Sequence, residues 1–204
     1  MTLDELNTQL PACRCCTDAG YFIGSVPIFT LNPGAVFMTV GQAPGRHEAE
    51  VTLKPFSGPA GRRLFRWLAQ AGFDETEFRA TQAMLAVTLC YPGPHPAGRG
   101  DRIPSRREQA LCAPWLETAL SLVNPQVVIP IGGLAIGKFL GGGPMTELIG
   151  ERFERDGRIL VPLPHPSGAS QWFNVPENKV RLARALAILS ELREQPGERE
   201  WGNG

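Results

Sequence analysis

Four short apolar runs, residues 35–40, 83–89, 127–131 and 159–163, alternate with segments of helical periodicity. This alternation constrains the fold more than any other feature of the chain. Strands separated by helices build a parallel sheet, and runs apolar on both sides are strands buried on both faces. The intervening segments carry their own signals. Residues 59–72 place Leu64, Phe65, Leu68 and Ala71 on one helical face and end at Gly72. Ser105 opens a helix over 106–123, with Glu108 completing a Ser-x-x-Glu capping box. Further helices are expected over 1–10, 133–139 and 176–192, the last with Val180, Leu182, Ala183, Leu186 and Leu189 inward. Residues 91–104 are rich in proline and glycine and read as a long loop, and 151–157 as a hairpin or turn. The expected fold is α/β, a three-layer α/β/α sandwich around a mostly parallel, four-stranded sheet. One domain spans 1–194, and the polar residues 195–204 form a flexible tail.

Two loops stand out in that framework. Gly41-Gln42-Ala43-Pro44-Gly45 follows the first strand, and His165-Pro166-Ser167 follows the fourth. Ligands of open α/β sheets sit at the carboxyl ends of the strands, so both loops belong on one rim. Glycines let the backbone approach a ligand closely, and the histidine supplies a hydrogen-bond donor.

Composition sets outer bounds. The chain has 204 residues, 43% of them hydrophobic, and a formal net charge of zero. That is enough for one well-filled core. No apolar run approaches the roughly 18 residues of a membrane span. The first ten residues lack the apolar segment of a secretory signal. The expectation is a cytoplasmic monomer with no membrane contact. Zero net charge leaves nucleic-acid binding open, because patches decide it.

Five cysteines, Cys13, Cys15, Cys16, Cys90 and Cys112, are an odd number and form no disulfide framework for a cytosolic chain. Cys13 and Cys16 have the C-x2-C spacing that lets two thiolates reach one centre. With Cys90 and Cys112 they suit either a zinc ion or an iron–sulfur cluster, and spacing alone does not separate the two. The alternative is that Cys90 and Cys112 are ordinary buried thiols. Cys15 is a spare, close enough to substitute.

Taken in order, these motifs resemble the uracil-DNA glycosylase superfamily, most closely its iron–sulfur type, family 4. The resemblance runs from Cys13-x2-Cys16 through Gly41-Gln42-Ala43-Pro44-Gly45 with Glu48. It continues through the segment from Lys54 to Gly61, Cys90, Arg102 to Ser105, Glu108, Cys112 to Leu116 and Pro125 to Gly132, and ends at His165-Pro166-Ser167. It implies a [4Fe-4S] cluster on Cys13, Cys16, Cys90 and Cys112, away from the chemistry. It also implies a partner, DNA containing uracil or another deaminated base. Such an enzyme flips the base from the duplex and breaks a bond with oxocarbenium character, leaving negative charge on the base. Donors must face that charge.

The resemblance assigns roles by position. His165 would donate to the base carbonyl; the bland alternative is a packing histidine. Gly41 and Ala43 would contribute backbone and space for the base, with Phe56 stacking on it. Glu48 would orient water or stabilise the sugar cation. Ser57, Ser167 and Arg62 would meet phosphate. The run Gly168-Ala169-Ser170-Gln171-Trp172 would wedge into the duplex, with Gln171 on DNA, or Trp172 would cover the core.

Two positions depart from the family. Gln42 stands where the family has glutamate; an amide holds water or a base edge but takes no proton. Ala86 stands where the family has a pyrimidine-reading asparagine, and Thr88 is the nearest polar side chain, expected on the same face. The implied function is a DNA-repair glycosylase leaving an abasic site. The alternatives are a non-catalytic or trapping binder of damaged DNA and, from a different class, a nucleotide-binding protein with a structural zinc.

Overall fold

The computed structural model describes residues 1–98, 100–167 and 171–195. A capping box between Thr2 and Glu5 starts α1 (Leu3–Gln9), and a short helix α2 (Cys15–Asp18) carries two of the cysteines. After β1 (Phe37–Gly41) come α3 (Pro59–Gln70), α4 (Glu75–Thr81) and β2 (Ala83–Ala86). Next are α5 (Arg106–Val123), β3 (Val127–Pro130), α6 (Gly133–Leu140) and α7 (Met145–Leu148). The chain closes with β4 (Phe153–Arg155), β5 (Arg158–Leu160) and α8 (Pro176–Glu194).

The sheet order is β2-β1-β3-β5-β4. β1 pairs in parallel with β2 and β3, and β3 in parallel with β5. The sheet therefore grows from β1 in both directions. The crevice between β1 and β3 is the switch point where such sheets bind ligands. Among the described residues the sheet has five strands where the sequence predicts four. The extra strand is β4, antiparallel to β5 across Asp156-Gly157, both at positive φ. The predicted strands also run longer than the regular ladders. Pro162 and Pro164 have no N–H, so beyond β5 only Val161 and Leu163 donate, to Val128 and Pro130.

Alternation along the strands separates two apolar layers. Phe37, Met84, Val127 and Ile129 face α3 and α8, meeting Leu64, Leu68, Leu182 and Leu189. Met38, Val40, Leu85 and Val128 face α1, α5 and α6, meeting Leu6, Leu116 and Ala135. The three-layer arrangement is thus as expected. The register of α8 is not: Val180 is 61% exposed and Ala183 is exposed, while Ala185 and Leu192 are buried. Asn178, Leu182, Ala185, Leu186, Leu189 and Leu192 keep a three-and-four spacing that Val180 breaks.

Candidate active site

The carboxyl ends of β1 and β2, with the turns after β3 and β5, border a cleft of about 750 Å³, within the range of small-ligand sites. Gly41, Gln42, Ala43, Pro44 and Gly45 line it, with Glu48, Phe56, Ala86, His165, Pro166 and Ser167.

Each wall has a local cause. A β-carbon on Gly41 would lie 3.0 Å from Phe56 Cζ, so the ring packs directly on bare backbone. Phe56 has φ +50°, uncommon for a bulky residue. Its turn is held from outside by Arg79, which donates to Pro55 O and Phe56 O at 2.8 Å each. Arg79 also pairs with Glu75 and lies 4.3 Å from the Phe65 ring centroid. Gly61 is equally committed: a β-carbon there would stand 1.8 Å from Phe56 O. Glu48, 8% exposed, joins the two loops, its carboxylate accepting from Gly45 N–H at 3.1 Å and Gly58 N–H at 2.9 Å.

His165 is half-buried, and burial lowers its pKa below the ordinary histidine value. Its Nδ1 accepts from Ser167 N–H at 3.2 Å. A neutral imidazole with Nδ1 as acceptor carries its proton on Nε2, so the free nitrogen is a donor. The ring packs against Gly132, which sits at φ +81° and where a β-carbon would be 3.0 Å from His165 Cδ2. Arg63 reaches from α3 to donate to Ser167 O at 3.2 Å, steadying the same loop.

On the other side of β2, Cys13, Cys15, Cys16, Cys90 and Cys112 line a second recess with Thr88 and Trp115. Trp115 Nε1–H donates to Cys13 Sγ at 3.1 Å, and Leu89 N–H to Cys112 Sγ at 3.4 Å. Burial pushes the Cys90 thiol far up and Cys112 up to about 12. Burial, then the charge of Glu108, raises Cys16. Among the described residues no three His, Cys, Asp or Glu side chains are gathered as ligands of one metal ion. Arg102 and Glu108 form the partition between the two sites. Arg102 lines the cleft, Glu108 lines the recess, and they bond through two 2.7 Å contacts. That hydrogen bond holds the Glu108 pKa down at about 2.

Comparison with known proteins decides the lineage. The model of the uracil DNA glycosylase superfamily matches residues 29–189. The chain belongs to the uracil-DNA glycosylase superfamily. A type-4 uracil-DNA glycosylase of Thermotoga maritima is 30% identical over 131 residues, 63% of this chain and 62% of that one. One from Pyrobaculum aerophilum is 28% identical over 162 residues, covering 78% and 72%. One from Saccharolobus solfataricus is 24% identical over 209 residues, covering 95% and 88%. The chain thus spans less than two thirds of the Thermotoga relative. At 24–30% identity it is a divergent relative of the type-4 proteins.

Within this superfamily fold, the structure gathers Gly41, Gln42, Ala43, Glu48, Phe56, His165 and Ser167 on one cleft. It gathers Cys13, Cys16, Cys90 and Cys112 on the recess. Three expected site residues stand elsewhere. Thr88 does not share the face of Ala86. The ladder ends at Ala86, Val87 and Thr88 donate backward to Gly41 O and Gln42 O, and Thr88 turns to the recess. The Ser57 hydroxyl is engaged inside its turn by Thr52 and Lys54 O, off the cleft. Arg62 is exposed on α3 and off the cleft wall. The side chain of Gln171 and residues 168–170 and 196–204, which include most of the expected tail, lie outside the described residues. Trp172 packs against the core beside Phe173, its ring 5.1 Å away. Sequence reasoning missed Arg79 and Asp101, and read Arg63 only as part of a basic cluster on α3. The Asp74 cap of α4, accepting from Glu77 N–H at 2.9 Å, was the available signal for Arg79. Among the described residues no helix is long and apolar enough to cross a membrane.

Proposed function

We propose that this protein is a monomeric DNA-repair glycosylase that hydrolyses the N-glycosidic bond of a flipped uracil or other deaminated base, leaving an abasic site. The observation that carries this reading is His165. Its tautomer, set by Ser167 N–H, leaves an Nε2–H donor on a nucleotide-sized cleft at the sheet's switch point. A donor there stabilises charge as it develops on the departing base. Phe56 offers the ring face for stacking, and Glu48 holds the 41–45 loop against the Phe56 turn. Ser167 lies at the rim for phosphate. The type-4 glycosylase relatives support the same assignment.

The reading includes a [4Fe-4S] cluster held by Cys13, Cys16, Cys90 and Cys112, with Cys15 adjacent. The donor set supports it: four cysteines share one recess, two of their sulfurs already accept N–H bonds, and the buried Thr88 Oγ1 has no partner. Each of the four cysteines would supply one thiolate to such a cluster. Such a cluster would pin α2, the 88–90 turn and α5 together. The thiols must shed protons to bind it, which their burial opposes, so assembly is favoured by higher pH.

A second reading, a trapping or non-catalytic binder of damaged DNA, draws on Gln42 and Ala86. Both line the cleft; Gln42 supplies no acid there and Ala86 no base-reading amide. Incubation with uracil- and hypoxanthine-containing oligonucleotides, single- and double-stranded, followed by alkali, separates the two. Strand breaks at the modified position are expected. Binding without an abasic product from either base would refute the enzyme.

A further inference from the structure

Three carboxylates line the cleft: Glu48, Glu50 and Asp101. Two of them are engaged. Glu48 spends both oxygens on the Gly45 and Gly58 N–H groups. Glu50 is gripped by Arg46 Nε at 2.9 and 3.0 Å. Asp101 faces the Tyr91 hydroxyl but has no ion-pair partner within 4 Å among the described residues.

Its position is specific. A β-carbon on Gly45 would meet Glu48 Oε2 at 2.8 Å and Asp101 Oδ2 at 3.1 Å. The two carboxylates thus converge on one bare stretch of backbone, at the opposite end of the loop from the Phe56 ring. The Asp101 backbone is held as well. Pro94 bridges to it, His95 N–H bonds Gly100 O, and Arg102 N–H bonds Gly93 O. Arg102 itself is clamped by Glu108 and Pro92 O. An exposed carboxylate on anchored backbone is available to water in a way that Glu48 is not. Gln42, on the same loop, accepts no proton at neutral pH.

We propose that Asp101 is the carboxylate that orients and deprotonates the attacking water. This inference rests on the glycosylase reading above. In the step, the water oxygen bonds to C1′ as the C1′–N bond breaks. The electron pair of that bond leaves with the base, whose charge faces His165. The water proton passes to Asp101 and then to the departed base, so the net reaction is hydrolysis. Positioned proton transfer of this kind contributes about 100- to 10,000-fold.

The test is single-turnover cleavage of uracil- and hypoxanthine-containing oligonucleotides by the full chain, alongside DNA binding and thermal melting. Asp101→Asn is expected to lose at least about 100-fold in rate, with binding and melting close to those of the parent. Asp101→Glu should keep part of the rate. Gln42→Glu, placed in the Asp101→Asn background, should recover at least about tenfold by returning an acid to the loop. If Asp101→Asn cleaves within about threefold of the parent, the proposal fails. It fails equally if the lost rate is matched by lost binding or melting, or if neither carboxylate variant recovers any rate. A parent chain that releases neither base overturns the glycosylase reading instead.

Discussion

The cleft and the cysteine recess lie on either side of the same few residues, Leu85 to Cys90, yet they are held by opposite means. In the cleft nearly every constraint is a hydrogen bond to backbone: Glu48 to two loops, Arg79 to the Phe56 turn, Arg63 and Ser167 to the His165 loop. Glycines 41, 61 and 132 allow the close packing. In the recess the polar groups are buried first and satisfied second. The thiols are pushed toward their protonated forms, and Thr88 Oγ1 is left without a partner. The fold alone positions the cleft, whereas in the proposed reading the recess would complete its bonding only on taking up a cluster. In the proposed reading, chemistry and anchorage are thereby separated across one strand.

Experiments can break or sharpen that contrast. The largest effect expected is from His165→Ala, which should lower single-turnover cleavage about 100- to 1,000-fold while DNA affinity changes little. Normal cleavage would remove the donor from the site. Next, Cys112→Ser should reduce bound iron from about four atoms per chain to almost none, and leave apo-protein whose His165 NMR shifts resemble the parent's. Unchanged iron content would take Cys112 out of the ligand set.

Third is the partition. Glu108→Gln should cost about 3–5 kcal/mol in denaturant unfolding, since it leaves Arg102 facing an uncharged partner on a buried side. The sign with pH is fixed by the lowered value. Glu108 titrates near 2 when folded and near 4.3 when unfolded, so its stabilisation is complete above about pH 5 and fades as pH drops toward 2. A parent and variant that lose stability in parallel on acidification would contradict this.

Smaller still, Arg79→Ala should slow cleavage about tenfold by freeing the Phe56 turn, with most of the fold intact. Least of all, Thr88→Val should leave cleavage untouched and the metal-free protein equally stable or about 1 kcal/mol more so, because it removes an unsatisfied hydroxyl. A large loss of activity would return Thr88 to the cleft.

Much of this architecture was legible in the residues, for reasons that can be named. The Ser105 box and the start of α5 at Arg106 are purely local, and they match. The parallel sheet and the meeting of the 41–45 and 165–167 loops on one rim follow from alternation and the carboxyl-end rule. The phase of α8 was not legible, because alanines and valines decorate both of its faces and only packing against the sheet selects one. Thr88 was misplaced because a period-of-two argument holds only while the ladder lasts, and it ends two residues earlier. Arg63, Arg79 and Asp101 act through partners 104, 23 and 56 positions away, a range at which no local pattern speaks.

The Arg102–Glu108 pair has one more consequence. Glu108 sits in the first turn of the helix that carries Cys112, and Arg102 adjoins Asp101. A tug on that helix therefore reaches the loop at Gly45 through a single doubly bonded link, and it bypasses His165, which is braced from α3. On the proposed Asp101 chemistry, oxidative damage at the cysteines would then register as a misplaced water before it registered as a lost grip on the base. If the proposed glycosylase reading holds, the protein would go on binding lesions after it had begun to fail at removing them.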